Sequence, residues 1–234
     1  MPTIQVLADF EHPLVCDLAR RLTDGEAGVR GKLARLFLFV RDEIKFGFPA
    51  QGDLLAASEV IRQGYGQCNN KGTVLLALCK AAGIPARIHF SLIGKEIQRG
   101  FFTGIAYALM PARISHSWLE VQVDQRWRRL DAYINDSGLQ GHAIAELKRR
   151  GWRTGFSVAL PKTGAPAIEL DLDNEKFSQM AAVTDDHGTF DEPAAYFAGP
   201  YYRNRPGRLK LWLYRRMLKG INGRVQRLRR GELT

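Results

Sequence analysis

The chain has 234 residues, enough for one substantial domain or a domain with an appendage, and its 45% hydrophobic and 25% charged residues exclude wholesale disorder. No stretch reaches the roughly 18 apolar residues that a membrane-spanning helix needs, and the start, MPTIQVLADFEHP, lacks the basic and apolar regions of a secretory leader. A cytoplasmic protein is therefore expected, and its net charge of +10 sits in one place: residues 203–230 hold eleven basic side chains and no acidic one.

In chain order, HPLVCDLARRL over 12–22 puts Leu14, Val15, Leu18, Ala19 and Leu22 at helical spacing. RGKLARLFLFVRDEIKF over 30–46 predicts a second helix with Leu33, Leu36, Phe37, Val40 and Ile44 on one side. LAASEVIRQ over 55–63 predicts a short helix that stops at Gly64, and GYGQC then reads as a glycine-punctuated turn. A third helix is expected from Asn69 to Ala82, with Gly83 at its C-terminal end and Pro85 just beyond.

Strands follow. ARIHFSLI over 86–93 reads as one, and SHSWLEVQV over 115–123 alternates Leu119, Val121 and Val123 with His116, Trp118 and Glu120. A turn near Asp124 and Gln125 leads to a partner strand, RWRRLDAYI, over 126–134. Helices first and strands later predict an α+β fold rather than alternating βαβ units. Residues 135–200 read as loops and short elements, so the expected division is a domain over 1–202 and a basic tail over 203–234.

The three cysteines, Cys16, Cys68 and Cys79, are widely spaced and odd in number, which predicts reduced thiols rather than a disulfide framework. Neither a C-x-x-C nor an H-E-x-x-H pattern offers a metal site, so no metal or cofactor is expected. Cys68 falls where the glycine turn hands over to the third helix. There the helix dipole and unpaired N–H groups lower a thiol pKa and can hold an oxyanion. Its plainer reading is a small core residue; Cys16 and Cys79, mid-helix among apolar neighbours, are expected to be buried.

A thiol nucleophile needs a base that a third group orients. His116 and Asp131 flank one predicted hairpin, and an even-length turn puts them on the same face, opposite or diagonal. His89 has no obvious carboxylate partner in sequence, and His12, His142 and His187 fall in expected loops or helix ends.

GYGQCNNKGTVLLALCKAAGIPARIHF resembles the active-site segment of the transglutaminase-like superfamily, where a Gly-x-Cys turn opens a helix closing on Gly-Ile-Pro-x-Arg. HSWLEVQVDQRWRRLD resembles the same family's His-x-Trp strand and its Trp-x-x-x-Asp partner, and FVRDEIKFGF the helix before the site. The resemblance implies a papain-like α+β fold with the cysteine helix on an antiparallel sheet. It implies Cys68 as nucleophile, His116 as base and Asp131 as orienting acid. Gln67 and the backbone N–H of Cys68 are the candidate oxyanion donors. Asn69, Asn70 and Lys71 depart from the aromatic and small residues common after the cysteine, and Ala132 and Tyr133 from the proline common after the acid.

A thiol enzyme acting on an amide or ester carbonyl of a protein, peptide or small molecule is the expected function, with water or an amine as acceptor and a slight preference for water. The rival is a catalytically silent binding module recruited by its tail. Over 208–228 the residues Leu209, Trp212, Leu213, Met217, Leu218, Ile221, Val225 and Leu228 are expected near one helical stripe. That stripe could dock on its own domain, lie on an anionic membrane surface, or meet a nucleic acid or acidic partner. Trp212 and Tyr214 among leucines favour the membrane over nucleic acid.

Overall fold

A computed structural model describes residues 6–167, 169–203, 205 and 207–233. Helix α1 (Pro13–Thr23) starts with proline in its first turn, and the His12 ring accepts a hydrogen bond from the Leu14 N–H at 3.1 Å. Its inner face is Val15, Leu18 and Ala19; Cys16 lies on the outer face and is exposed, contrary to the expected burial. Helix α2 (Val29–Asp42) buries Leu33, Leu36, Phe37 and Val40. It ends before residue 46 because Lys45–Phe46 forms a short strand, β1, whose backbone pairs in parallel with β2 (Tyr65–Gly66). Between them, α3 (Ala57–Gln63) closes on Gly64 at φ +71°.

Helix α4 (Cys68–Ala81) is buried along nearly its whole length, from Cys68 to Cys79. It packs against α1, α2 and α3 on one side and against β3 (Ala86–Gly94) and β4 (Arg113–Val123) on the other. The short α5 (Gly104–Ala108) lies between those two strands in sequence. Asp124 and Gln125, at φ +51° and +62°, form the two-residue turn that joins β4 to β5 (Arg126–Leu130), with Val123 opposite Arg126. The sheet is antiparallel throughout, in the order β5-β4-β3-β8, where β8 is Val183–Phe190. Helices on one side of an antiparallel sheet give the expected α+β, papain-like architecture.

The stretch 135–200 is more regular than its composition predicts. It contains a 14-residue helix, α6 (Ser137–Arg150), capped by Asp136, whose side chain accepts from the Leu139 N–H, and ended by Gly151 at φ +65°. It also holds the small hairpin β6 (Thr154–Gly155) and β7 (Val158–Ala159), the edge strand β8, and α7 (Pro193–Ala198).

Helix α8 (Arg208–Arg229) occupies the basic tail, and its apolar residues do not form one stripe. Ile221, Val225 and Leu228 are buried against the domain, with Tyr214, Met217 and Leu218 half-buried beside them, whereas Leu209, Trp212 and Leu213 are exposed. Polar contacts hold the docked face. Tyr214 Oη donates to the Pro49 carbonyl at 2.9 Å, Arg224 Nε to the Phe101 carbonyl at 2.6 Å, and Arg229 pairs with the buried Asp136 carboxylate at 2.7 Å. The Asn222 amide accepts from the Phe48 N–H at 2.9 Å and donates to its carbonyl at 3.0 Å. Asn222→Ala removes both bonds and leaves the Phe48 backbone poorly paired, so denaturant unfolding should show a loss of about 2 kcal/mol.

Candidate active site

Two glycines let helix α4 approach its neighbours closely. A Cβ at Gly66 would lie 2.7 Å from that of Asn70, so the turn before α4 tolerates no side chain there. A Cβ at Gly72 would lie 3.1 Å from the Tyr133 hydroxyl and 3.2 Å from Ser117 Oγ, so the helix meets β4 almost backbone to strand. Cys68 is the first residue of α4, with 8% of its surface exposed. The backbone N–H groups of Asn69, Ser117 and Cys68 itself face its sulfur. Asn69 Nδ2 also donates to Ser115 Oγ at 3.3 Å. The thiol therefore meets β4 at 115–117, next to the place where β5 has ended.

His116 is fully buried one residue from that contact, and among the described residues neither ring nitrogen has a hydrogen-bond partner. Strand alternation sends its ring to the face shared with Trp118 and Glu120. Register runs to Leu119 opposite Leu130, so the next step sets Asp131 beside Trp118 and diagonal to His116. The ladder itself ends at Leu119 opposite Leu130, one residue short of Asp131. β5 stops at Leu130 rather than at 134 because Asp131 turns to a different task. Its Oδ1 accepts from the Ser178 N–H at 2.7 Å, and its Oδ2 from those of Gln179 and Met180 at 2.6 and 3.2 Å. No hydrogen bond joins Cys68 to His116 or His116 to Asp131 among the described residues.

Burial dominates the electrostatics. It pushes the Cys68 thiol up to about 12, helped by the nearby Asp53 carboxylate and against the three N–H groups that favour the thiolate. The expectation that a helix start lowers this thiol therefore fails, because helix-terminus effects of about 0.3–2 kcal/mol are smaller than the burial of a charge. Burial likewise pulls His116 down to about 3 and raises Asp131 to about 6 despite its three amide donors. The resting pair is a neutral thiol and a neutral imidazole.

Gln67, expected as an oxyanion donor, has its side chain turned to another group: Nε2 donates to Asp53 Oδ1 at 2.6 Å. Asp53 is the residue that the sequence did not expose as part of the site. It also accepts from Asn69 Nδ2 at 3.0 Å and from Tyr202 Oη at 2.9 Å, and burial raises its pKa. Asn70 Nδ2 reaches the Gly52 carbonyl at 3.0 Å. The two asparagines after the cysteine thus hold the 52–53 loop against the start of α4. Lys71 is wholly buried, donates to the Arg41 carbonyl at 3.0 Å, and is pulled down to about 7 by burial.

His89 does have carboxylate partners, Glu120 at 2.8 Å and Asp186 at 2.6 Å, and it stacks on Trp118 with centroids 4.1 Å apart. Glu120 is two residues beyond its cross-strand partner Trp118, and Asp186 comes from β8, which no sequence pattern revealed. Burial lowers the His89 pKa, but the two carboxylates outweigh it and the net shift is upward. With both nitrogens engaged, His89 has none left for a thiol. Cys79 is buried mid-helix, as expected.

The family model described as the transglutaminase-like superfamily matches residues 17–132. No curated protein matches the chain. Solved structures similar over part of it include two. One is a candidate cysteine protease from Cytophaga hutchinsonii, at 17% identity and a TM-score of 0.43, covering 55% of this chain and 39% of that one. The other is a candidate protease from Parabacteroides distasonis ATCC 8503, at 19% identity and a TM-score of 0.37, covering 53% and 25%. The chain spans less than half the length of either. From within α1 to the residue after Asp131, over residues 17–132, the chain belongs to the transglutaminase-like superfamily.

Proposed function

We propose that the protein is a thiol enzyme that attacks an amide or ester carbonyl through Cys68 and forms a thioester. The observation that carries this is the state of His116. Among the described residues this fully buried imidazole has no partner for either nitrogen, at about 1–3 kcal/mol for each unmade hydrogen bond, and a partner that arrives during function accounts for that cost.

The neutral resting pair sets the order of events. The Cys68 proton passes to a His116 nitrogen as the sulfur–carbon bond forms, rather than beforehand. The carbonyl oxygen gathers negative charge near the N–H groups of Cys68 and Asn69. Collapse breaks the carbonyl carbon's bond to the leaving amine or alcohol, which takes the proton back from the imidazolium. Water or an amine, deprotonated by His116, then releases the acyl group and restores the thiol. Hydrolysis needs no second-substrate site and is the simpler outcome. Among the described residues Oδ1 of Asp131 accepts one backbone N–H, which leaves a lone pair for the far side of the imidazole.

One observation favours a catalytically silent binding module instead: the three side chains are not hydrogen-bonded to one another. His116→Leu separates the two, because leucine fills a similar volume without polar atoms. For an enzyme, turnover of ester or anilide substrates should fall about 10²–10⁴-fold. Urea unfolding at pH 7 should show stability held or raised by about 1–2 kcal/mol. A loss of stability, with no turnover in the parent protein, would point to a structural histidine in a silent module.

A further inference from the structure

We propose that the first half of α8 is a docking surface for an anionic lipid bilayer. The helix carries two apolar faces. At about 100° per residue, Ile221, Val225 and Leu228 lie on one side and Leu209, Trp212 and Leu213 on roughly the opposite one. The first set is buried against the domain, whereas Leu209, Trp212 and Leu213 are 70%, 51% and 36% exposed. The outer stripe is thus not a frayed part of the core-facing one. It faces away from a helix that the domain already holds through Tyr214, Asn222, Arg224 and Arg229.

Charge complementarity selects the occupant. Arg208, Lys210, Arg215, Arg216 and Lys219 are exposed around this stripe, and no acidic residue occurs from 203 to 230. The Arg216 guanidinium lies 4.7 Å from the Trp212 ring centroid, so the cationic and apolar groups form one surface. Leucines flanking a tryptophan, with cations beside them, suit the boundary between acyl chains and anionic headgroups. A nucleic-acid surface would instead set its aromatic ring among polar groups. No helix among the described residues is long and apolar enough to cross a membrane, so α8 would lie on the bilayer.

The test is cosedimentation of the full chain with vesicles of phosphatidylcholine, with and without phosphatidylglycerol. Binding is expected only to the anionic vesicles and should weaken as salt rises. Replacing Lys210, Arg216 and Lys219 with glutamate should weaken it by at least about fivefold for each cation removed. Trp212→Ser with Leu213→Ser should lower it at least tenfold, whereas Ile105→Ser, in an exposed apolar position outside the basic segment, should leave it unchanged. Cys68→Ser should bind as the parent does, since docking is independent of chemistry at the thiol. Equal binding to both vesicle types, no binding, or preference for polyglutamate or single-stranded RNA with vesicles ignored would overturn the proposal.

Discussion

Replacing Cys68 with serine is expected to lower turnover of an ester or anilide substrate by a factor on the order of 10⁴ or more, while leaving the unfolding midpoint nearly unchanged. The two side chains are close in size, and Cys68 sits at a helix start whose backbone contacts do not depend on the sulfur. A serine hydroxyl is far less acidic than a thiol, and a neutral His116 is too weak a base to make up the difference. Cys79→Ser is the internal control. That side chain is fully buried in mid-helix, so its hydroxyl should cost stability and spare turnover. Initial rates and urea midpoints of the two variants decide the matter; a Cys68→Ser protein with the parent's rate would place the nucleophile elsewhere.

Asp131→Ala should cost the fold about 3–5 kcal/mol, because the buried N–H groups of Ser178 and Gln179 and the part-buried one of Met180 lose their acceptor together. The variant also unmasks two opposed pH dependences. Asp131 is raised to about 6, so the folded state holds its proton more tightly than the unfolded chain. That contribution is present at low pH and is lost as pH rises from about 4 through 6. His116 is lowered to about 3, so the folded state refuses a proton that the unfolded chain binds. Its contribution is present above about 6.5 and is lost as pH falls toward 3. Between pH 5 and 7 the first takes away about 1 kcal/mol and the second adds about 2, so they largely offset. In Asp131→Ala the stability should therefore climb more steeply from pH 5 to pH 7 than in the parent. In His116→Leu it should fall over the same interval. Slopes of the same sign in both variants would show that the buried pair does not govern the acid limb.

What could be read from the sequence was whatever local chemistry specifies. The α4 helix has a glycine turn before it and Gly83 and Pro85 after it. The β4–β5 hairpin has alternating side chains and a two-residue turn. Together they place Cys68, His116 and Asp131 in order without any knowledge of the rest. The parts that escaped depend on distant partners. β8 contains Asp185, Asp186, His187 and Gly188, poor strand formers that become a strand by pairing with β3. α6 carries Gly138 and Gly141, which hide its periodicity, although Asp136 and Gly151 mark its ends.

Asp53 was invisible for the same reason. Nothing near it in sequence predicts that Gln67, Asn69 and Tyr202 converge on its carboxylate. The thiol's acidity is set mainly by depth of burial, which the sequence does not show, whereas the helix start is legible there. In the tail, composition revealed the cations and leucines, but only packing shows that Ile221, Val225 and Leu228 face the domain while Leu209, Trp212 and Leu213 face outward.

The most direct measurement is trapping of the acyl-enzyme. The full chain is mixed with an activated acyl ester, quenched in acid, digested and mapped by mass spectrometry, with the exposed Cys16 reporting indiscriminate acylation. The expected result is an acyl group on Cys68 that hydroxylamine removes and that is absent from His116→Leu. Acylation confined to Cys16, or a Cys68 adduct that forms equally well without His116, would contradict a catalytic thiol at the start of α4.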